Sequence, residues 1–111
     1  MRLTYIELLG NKYPMCFSLA ATEKLTSEFG SLEEMQKALT SDNPVKAVNI
    51  MLKILMDAGR KYCEVAGIEQ PPSLPCDPAD VIDVSDPSAV SVIFKAISSS
   101  SEREVEVAGK N

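Results

Sequence analysis

Asn43-Pro44-Val45-Lys46-Ala47-Val48-Asn49-Ile50-Met51-Leu52-Lys53-Ile54-Leu55-Met56-Asp57-Ala58-Gly59-Arg60-Lys61-Tyr62-Cys63-Glu64-Val65-Ala66-Gly67 is the stretch whose reading decides the fold. Asn-Pro at its head has the form of a cap followed by proline at the first helical position, and Gly67 is a natural stop. A helix over 44–66 is therefore predicted. One apolar stripe runs through Val48, Met51, Leu52, Leu55, Tyr62 and Ala66. A second, rotated from it, runs through Ala47, Ile50, Ile54, Ala58 and Val65. The polar stripe of Lys46, Lys53, Asp57, Arg60 and Glu64 is narrow. A helix on a protein surface has one apolar face a little over ~100° wide, and this one has more. It is either covered from several sides or meets another chain with its second stripe. Gly59 within the pattern costs roughly 1 kcal/mol relative to alanine, which predicts close packing or a weak point there.

Working back toward the N-terminus, Leu3–Leu9 has the β-branched and aromatic bias of a strand. Gly10-Asn11 reads as a turn, and Lys12–Phe17 as a return strand, giving a β-hairpin over 3–17. Pro14 lacks an amide donor, which makes the return strand an edge strand or interrupts it. Ser18 then caps a helix over 18–29, with Ala21, Leu25 and Phe29 on one face, Leu19 and Ala20 beside them, and Gly30 as its stop. Ser31 and Glu34 have capping-box spacing ahead of a short helix over 32–39 that carries Leu32, Met35 and Leu39.

Beyond Gly67, residues 68–78 hold four of the seven prolines and read as an extended connector. Asp77-Pro78 and Asp86-Pro87 repeat the cap-plus-proline signature, predicting helices at 79–84 and 87–98, the latter with Val90, Ile93, Phe94 and Ile97 on one face. Four serines follow, and 99–111 reads as a mobile tail. The expectation is one α+β domain over 1–98: a mainly helical unit with an N-terminal hairpin packed on a helical bundle, centred on helix 44–66. Leu25, Phe29, Leu52, Leu55 and Phe94 are expected in its core.

At 111 residues the chain can bury one core, and with no tryptophan and 5% aromatic residues that core must be aliphatic. The formal net charge of −5 is unevenly placed. Residues 1–68 balance eight acids with eight bases, whereas 69–111 hold eight acids and three bases. Without a basic cluster, binding to nucleic acid is not expected, since that affinity rests on lysine and arginine displacing counterions. No apolar run approaches the ~20 residues of a membrane span, and Met1-Arg2 leads into a strand-like run, so neither a membrane segment nor a secretory leader is expected.

The chain has no histidine, which removes the commonest general base and the Ser-His and Cys-His nucleophilic pairs. Its five glycines are scattered singly, so no phosphate-cradling loop is present. Asp80, Asp83 and Asp86 recur every three residues but lack the alternate ligands, central glycine and terminal glutamate of a calcium loop, and read as caps on a solvated face. Cys16, Cys63 and Cys76 are odd in number and have no CxxC spacing, so they read as reduced thiols, two of them in the core. Met15, Met35, Met51 and Met56 read as core fillers. No catalytic residue, cofactor or metal is expected, and the reading is of a non-enzymatic, protein-binding molecule.

The run Tyr5–Leu19 resembles the N-terminal hairpin of the tail assembly chaperones of long-tailed phages and prophages, in which a G-x-x-Y-P turn leads into a strand and then a helix ending in F-G-S-L. Here these are Gly10 to Pro14 and Phe29-Gly30-Ser31-Leu32. Ala58-Gly59-Arg60-Lys61-Tyr62 is similar to an A-G-x-x-Y stretch that follows in that group. The resemblance covers roughly residues 5–67 and leaves the acidic third without a counterpart. It implies a cytoplasmic helper in the bacterial host that binds the tape-measure protein, helps recruit tail-tube subunits and is absent from the finished particle. A small structural component of the particle (a connector or tube-associated protein) is the alternative, as is another protein-interaction adaptor. An acyl-carrier reading fails because Asp86-Pro87-Ser88 lacks the Asp-Ser spacing of the prosthetic arm. The expected protein-interaction face is Ala47, Ile50, Ile54 and Ala58, for a client or for a homo-oligomer. The competing expectation is that the hairpin or the helix at 87–98 covers it within one chain.

Overall fold

The computed structural model describes residues 3–42, 44–83, 85–88, 91, 93–95 and 97. It is an α+β domain. Strands β1 (Thr4–Leu8) and β2 (Asn11–Met15) form an antiparallel hairpin, followed by helices α1 (Leu19–Phe29), α2 (Leu32–Leu39) and α3 (Val45–Ala66) and a 3₁₀ turn at Pro78–Asp80. The described residues between 87 and 97 are helical, with Ile93 and Ile97 buried. The expected tail at 99–111 lies outside the described residues.

Local chemistry sets most boundaries. The Ser18 Oγ accepts the Ala21 amide at 3.1 Å, capping α1, and Gly30 leaves it with φ 94°. Ser31 Oγ accepts the Glu34 amide at 3.1 Å, while the Glu34 carboxylate turns to Lys37 at 3.5 Å, so only half of the capping box forms. Gly67 closes α3 in the left-handed region at φ 72°. Pro44 stands at the N-cap of α3 and not inside its first turn, and Asn43 lies outside the described residues.

Several elements depart from expectation. The hairpin turn is Leu9-Gly10, one residue earlier than Gly10-Asn11, and Asn11 already pairs with Leu8. Both turn residues have positive φ, 53° and 78°, as a two-residue hairpin loop of the primed type needs. Pro14, by contrast, meets the edge-strand expectation: it pairs opposite Tyr5 without interrupting β2, an edge strand of a two-stranded sheet. Leu32 is exposed on α2, leaving Met35 as that helix's buried anchor. In place of a helix at 79–84 there is the single turn at Pro78–Asp80, with Val81 and Ile82 in irregular backbone packed on the core. With Asp83 accepting from Ser85, local side-chain bonds compete there with helical ones. Leu25, Leu52 and Leu55 are buried as expected, but Phe29 and Phe94 are only half-buried.

On α3 the fully buried positions Ala47, Met51, Leu55, Gly59 and Cys63 recur every fourth residue, joined by Leu52. A step of four in a helix of 3.6 residues per turn drifts by about 40° each time, so this seam winds around the helix. Its second half faces β2, while Val48 and Leu52, beside its first half, share a hollow with Ala79, Ile82, Ile93 and Phe94. Tyr62 and Ala66, assigned to the first stripe, are half-buried and exposed respectively.

At Gly59 the β2 backbone lies directly on α3. A Cβ added there would sit 2.7 Å from the Met15 Cα and closer still to the Pro14 carbonyl. One step along, the Cys16 amide donates to the Leu55 carbonyl at 3.3 Å. Tyr13, Pro14, Met15 and Cys16 are buried in succession, against the alternation of an ordinary half-exposed strand, and Tyr13 and Pro14 share a hollow with the connector and α3. That connector is strapped to α3: Gln70 Nε2 donates to the Arg60 carbonyl at 3.2 Å, Arg60 Nη1 to the Pro71 carbonyl at 3.5 Å, and Lys53 pairs with Asp77 at 3.7 Å.

Two stability outcomes follow from this geometry. Gly59→Ala gains helix propensity of roughly 1 kcal/mol yet forces a methyl group into backbone that cannot swing aside. The net result should be a loss of about 1–3 kcal/mol, as for overpacked cores; a raised urea midpoint would contradict the crossing. Leu9→Asn should raise stability by up to about 1 kcal/mol, because a positive φ strains an ordinary L residue by roughly 1–2 kcal/mol and asparagine tolerates it. Leu9 is 62% exposed and gives up little packing. An unchanged or lowered midpoint would show that the turn carries no such strain.

Candidate interaction site

The four residues expected to form an interaction face are divided by the fold. Ala47 is buried in the α3 seam, and Ile50 is half-buried. Ile54 and Ala58 are half-buried, lie against the core, and line a hollow of about 300 Å³ between α1 and α3. Among the described residues, none of the hairpin or of the 87–97 segment lines this hollow; its opposite wall is Ser18, Ala20, Ala21 and Lys24 of the α1 end. Tyr62 and Val65 complete it on the α3 side.

The hollow exists because its walls carry small side chains. Ala20, Ala21 and Ala58 stand where larger residues would fill the space between the helices, as they do deeper in at Leu25 and Leu55. Of its lining residues Val65 is the most exposed large apolar side chain, at 89%. Apolar stripe analysis picks out Ile54 and Ala58. It does not find the wall of Ser18, Ala20, Ala21 and Lys24, whose place beside α3 is set only once α1 is docked.

The charge on the site is a cluster of three. Asp57 accepts from Lys24 at 3.1 Å and lies 3.5 Å from Lys61, so two ammonium groups share one carboxylate. Partial burial works against ionisation of Asp57, but the hydrogen bond and charge of Lys24, with Lys61 behind it, outweigh burial and hold its pKa below the ordinary aspartate value.

A second hollow, of about 290 Å³, lies beside the first half of α3. Val48, Leu52, Ile82, Ile93 and Phe94 line it, and Asn49 is its one polar side chain among the described lining residues. The thiols behave as packing: burial pushes both Cys16 and Cys63 above the ordinary cysteine value, away from nucleophilic use, while Cys76 is exposed. Met15, Met35 and Met51 are buried in the core and Met56 packs against it. Asp83 and Asp86 act as local caps, accepting the amides of Ser85 at 2.9 Å and Ser88 at 3.0 Å. Among the described residues no helix is long and apolar enough to cross a membrane.

No family model, curated protein or solved structure matches this chain.

The Asp57 cluster has a pH signature. A carboxylate held below its unfolded value stabilises the fold at neutral pH, and that contribution is lost as pH falls through and below the ordinary aspartate range. Because the groups are about half exposed, the effect should be at most about 1 kcal/mol, as for surface pairs. Urea midpoints at neutral pH should fall slightly in Asp57→Asn, and the gap from wild type should close in acid. A gap that widens in acid would mean the carboxylate is not held ionised by the lysines.

Proposed function

We propose that this protein is a non-enzymatic tail assembly chaperone of a long-tailed phage or prophage. In this reading it works in the host cytoplasm, holds the tape-measure protein in a soluble state and helps bring tail-tube subunits to it. The observation that carries the reading is where its family-like residues meet. The hairpin piece ending in Tyr13-Pro14 and the helical piece Ala58–Tyr62 lie far apart in sequence, yet Pro14 rests on Gly59. Tyr13 and Pro14 are buried, and Phe29-Gly30-Ser31-Leu32 forms the α1–α2 corner. Two of the three pieces that resemble the family thus meet in one contact, and this supports the reading. The hollow lined by Ala20, Ile54 and Ala58 supports the protein-binding part of the reading, since an apolar surface with exposed margins is the usual mark of a protein contact.

The test is co-expression of the tagged full chain with the genes that neighbour its own, followed by affinity capture. The expected result is co-purification of a long helical tail protein. Ala20→Glu should abolish capture without unfolding, because Ala20 is exposed in the first turn of α1, where an acid is favourable to the helix. Capture unchanged in Ala20→Glu would remove the hollow as the client face. Failure to capture any tail component would remove the chaperone reading.

A further inference from the structure

We propose that the hollow between α1 and α3 is the seat of this chain's own C-terminal segment, Glu104-Val105-Glu106-Val107, which covers it until another molecule displaces it. The charge of the lining points to an acidic occupant. Lys24 and Lys61 both lie against Asp57, at 3.1 and 3.5 Å, so two cations face one anion. The other two hollows have no such excess. The one beside the first half of α3 has no charged side chain among its described lining residues, and the one under the connector sets Lys53 and Arg60 against Asp57 and Asp77. The remaining lining is apolar apart from Ser18, whose hydroxyl oxygen is taken by the Ala21 amide. An occupant that matches this surface combines apolar side chains with an excess of carboxylate.

The sequence beyond the last described residue, Ile97, holds such a segment. Its only apolar side chains are Val105, Val107 and Ala108, and Glu104 and Glu106 alternate with the valines. Successive side chains of an extended chain point to opposite sides. The valines can therefore enter the space left by Ala20, Ala21 and Ala58 while the glutamates stay at the rim. There they meet the ammonium groups of Lys24 and Lys61, carried outward on long stems. The reach is sufficient. Ile93 shares a hollow with Leu52, and Ala58 lies only roughly 9 Å further along α3 at the rise of a helix. The chain from Ile97 to Val107 spans up to about 33 Å when extended, enough to pass around a helix about 10–12 Å in diameter. Attachment also holds the segment at an effective concentration on the order of millimolar.

The inference uses the same surface as the client reading but is tested without any client, so the two can fail separately. The test is disulfide trapping in the full chain, with the exposed Cys76 replaced by serine and the buried Cys16 and Cys63 left in place. Ala20→Cys together with Val107→Cys should cross-link under mild oxidation, with two thiols lost on denatured counting and the 12.0 kDa monomer mass kept. Leu32→Cys together with Val107→Cys is the control, since Leu32 is exposed but does not line the hollow; it should cross-link about tenfold more slowly or less. Ala20 is itself exposed, so the fold does not depend on it, which unchanged circular dichroism would verify. Adding Lys61→Glu should slow the Ala20 cross-link severalfold, and adding Glu106→Lys to that variant should restore it. Equal rates for the two cysteine pairs, indifference to Lys61→Glu, or a cross-linked product of twice the chain mass would each overturn the proposal.

Discussion

The backbone of β2 rests on the backbone of α3 at Gly59, and the remaining architecture is arranged around that contact. No side chain separates the two elements there, since even a methyl group would overlap the Pro14 carbonyl. Approach this close lets the Cys16 amide reach the Leu55 carbonyl, one turn of helix away. It also draws four consecutive residues, Tyr13 to Cys16, below the surface. The proline-rich connector lies along α3 beside that strand, tied down through Gln70, Arg60 and the Lys53–Asp77 pair, and shares a hollow with Tyr13 and Pro14. The connector is thus a structural layer, not a spacer to a separate unit.

How much of this was legible in the sequence depended on where the governing interaction lay. Caps are local, so Ser18, Gly30, Ser31 and Gly67 placed the ends of three helices without reference to the rest of the chain. The hairpin was legible from strand composition, but its turn slipped by one residue because Asn11 has turn chemistry and Leu9 does not; pairing across the strands placed Leu9 at positive φ. Tertiary contacts were harder. The buried seam of α3 passes through Gly59 and Cys63, and a glycine contributes nothing to a pattern of apolar side chains. The helical anomaly at Gly59 was visible; that a strand backbone fills the gap was not. Around 79–84 the Asp77-Pro78 pair suggested a helix, but the Asp77 side chain makes no cap bond and pairs with Lys53, and only a single turn forms.

The candidate site shows the same division. Ile54 and Ala58 could be found from periodicity, because being apolar on a rotated face is a property of α3 alone. Ala47 shares that periodicity yet is buried, since the seam winds and the helix's first half is covered where its second half is not. Ala20, Lys24, Lys61 and Val65 gain meaning only from α1 and α3 standing side by side, a relation with no sequence signature.

That relation in turn descends from Gly59. Only Phe17 and Ser18 separate the Cys16 amide, bonded to α3, from the first residue of α1, so α1 has almost no freedom in where it starts. It must begin beside the same part of α3 that β2 crosses, and it does so on the flank carrying Ala58, the residue adjacent to Gly59 and rotated about 100° from it. The glycine admits the strand, the strand fixes the origin of α1, and the alanine next to the glycine keeps the space under that origin from filling. Replacing Ala58 with a large residue would erase the recess. The small side chains of this patch therefore leave unused a packing gain that the fold could otherwise take, and they keep the flank of α3 beside α1 open.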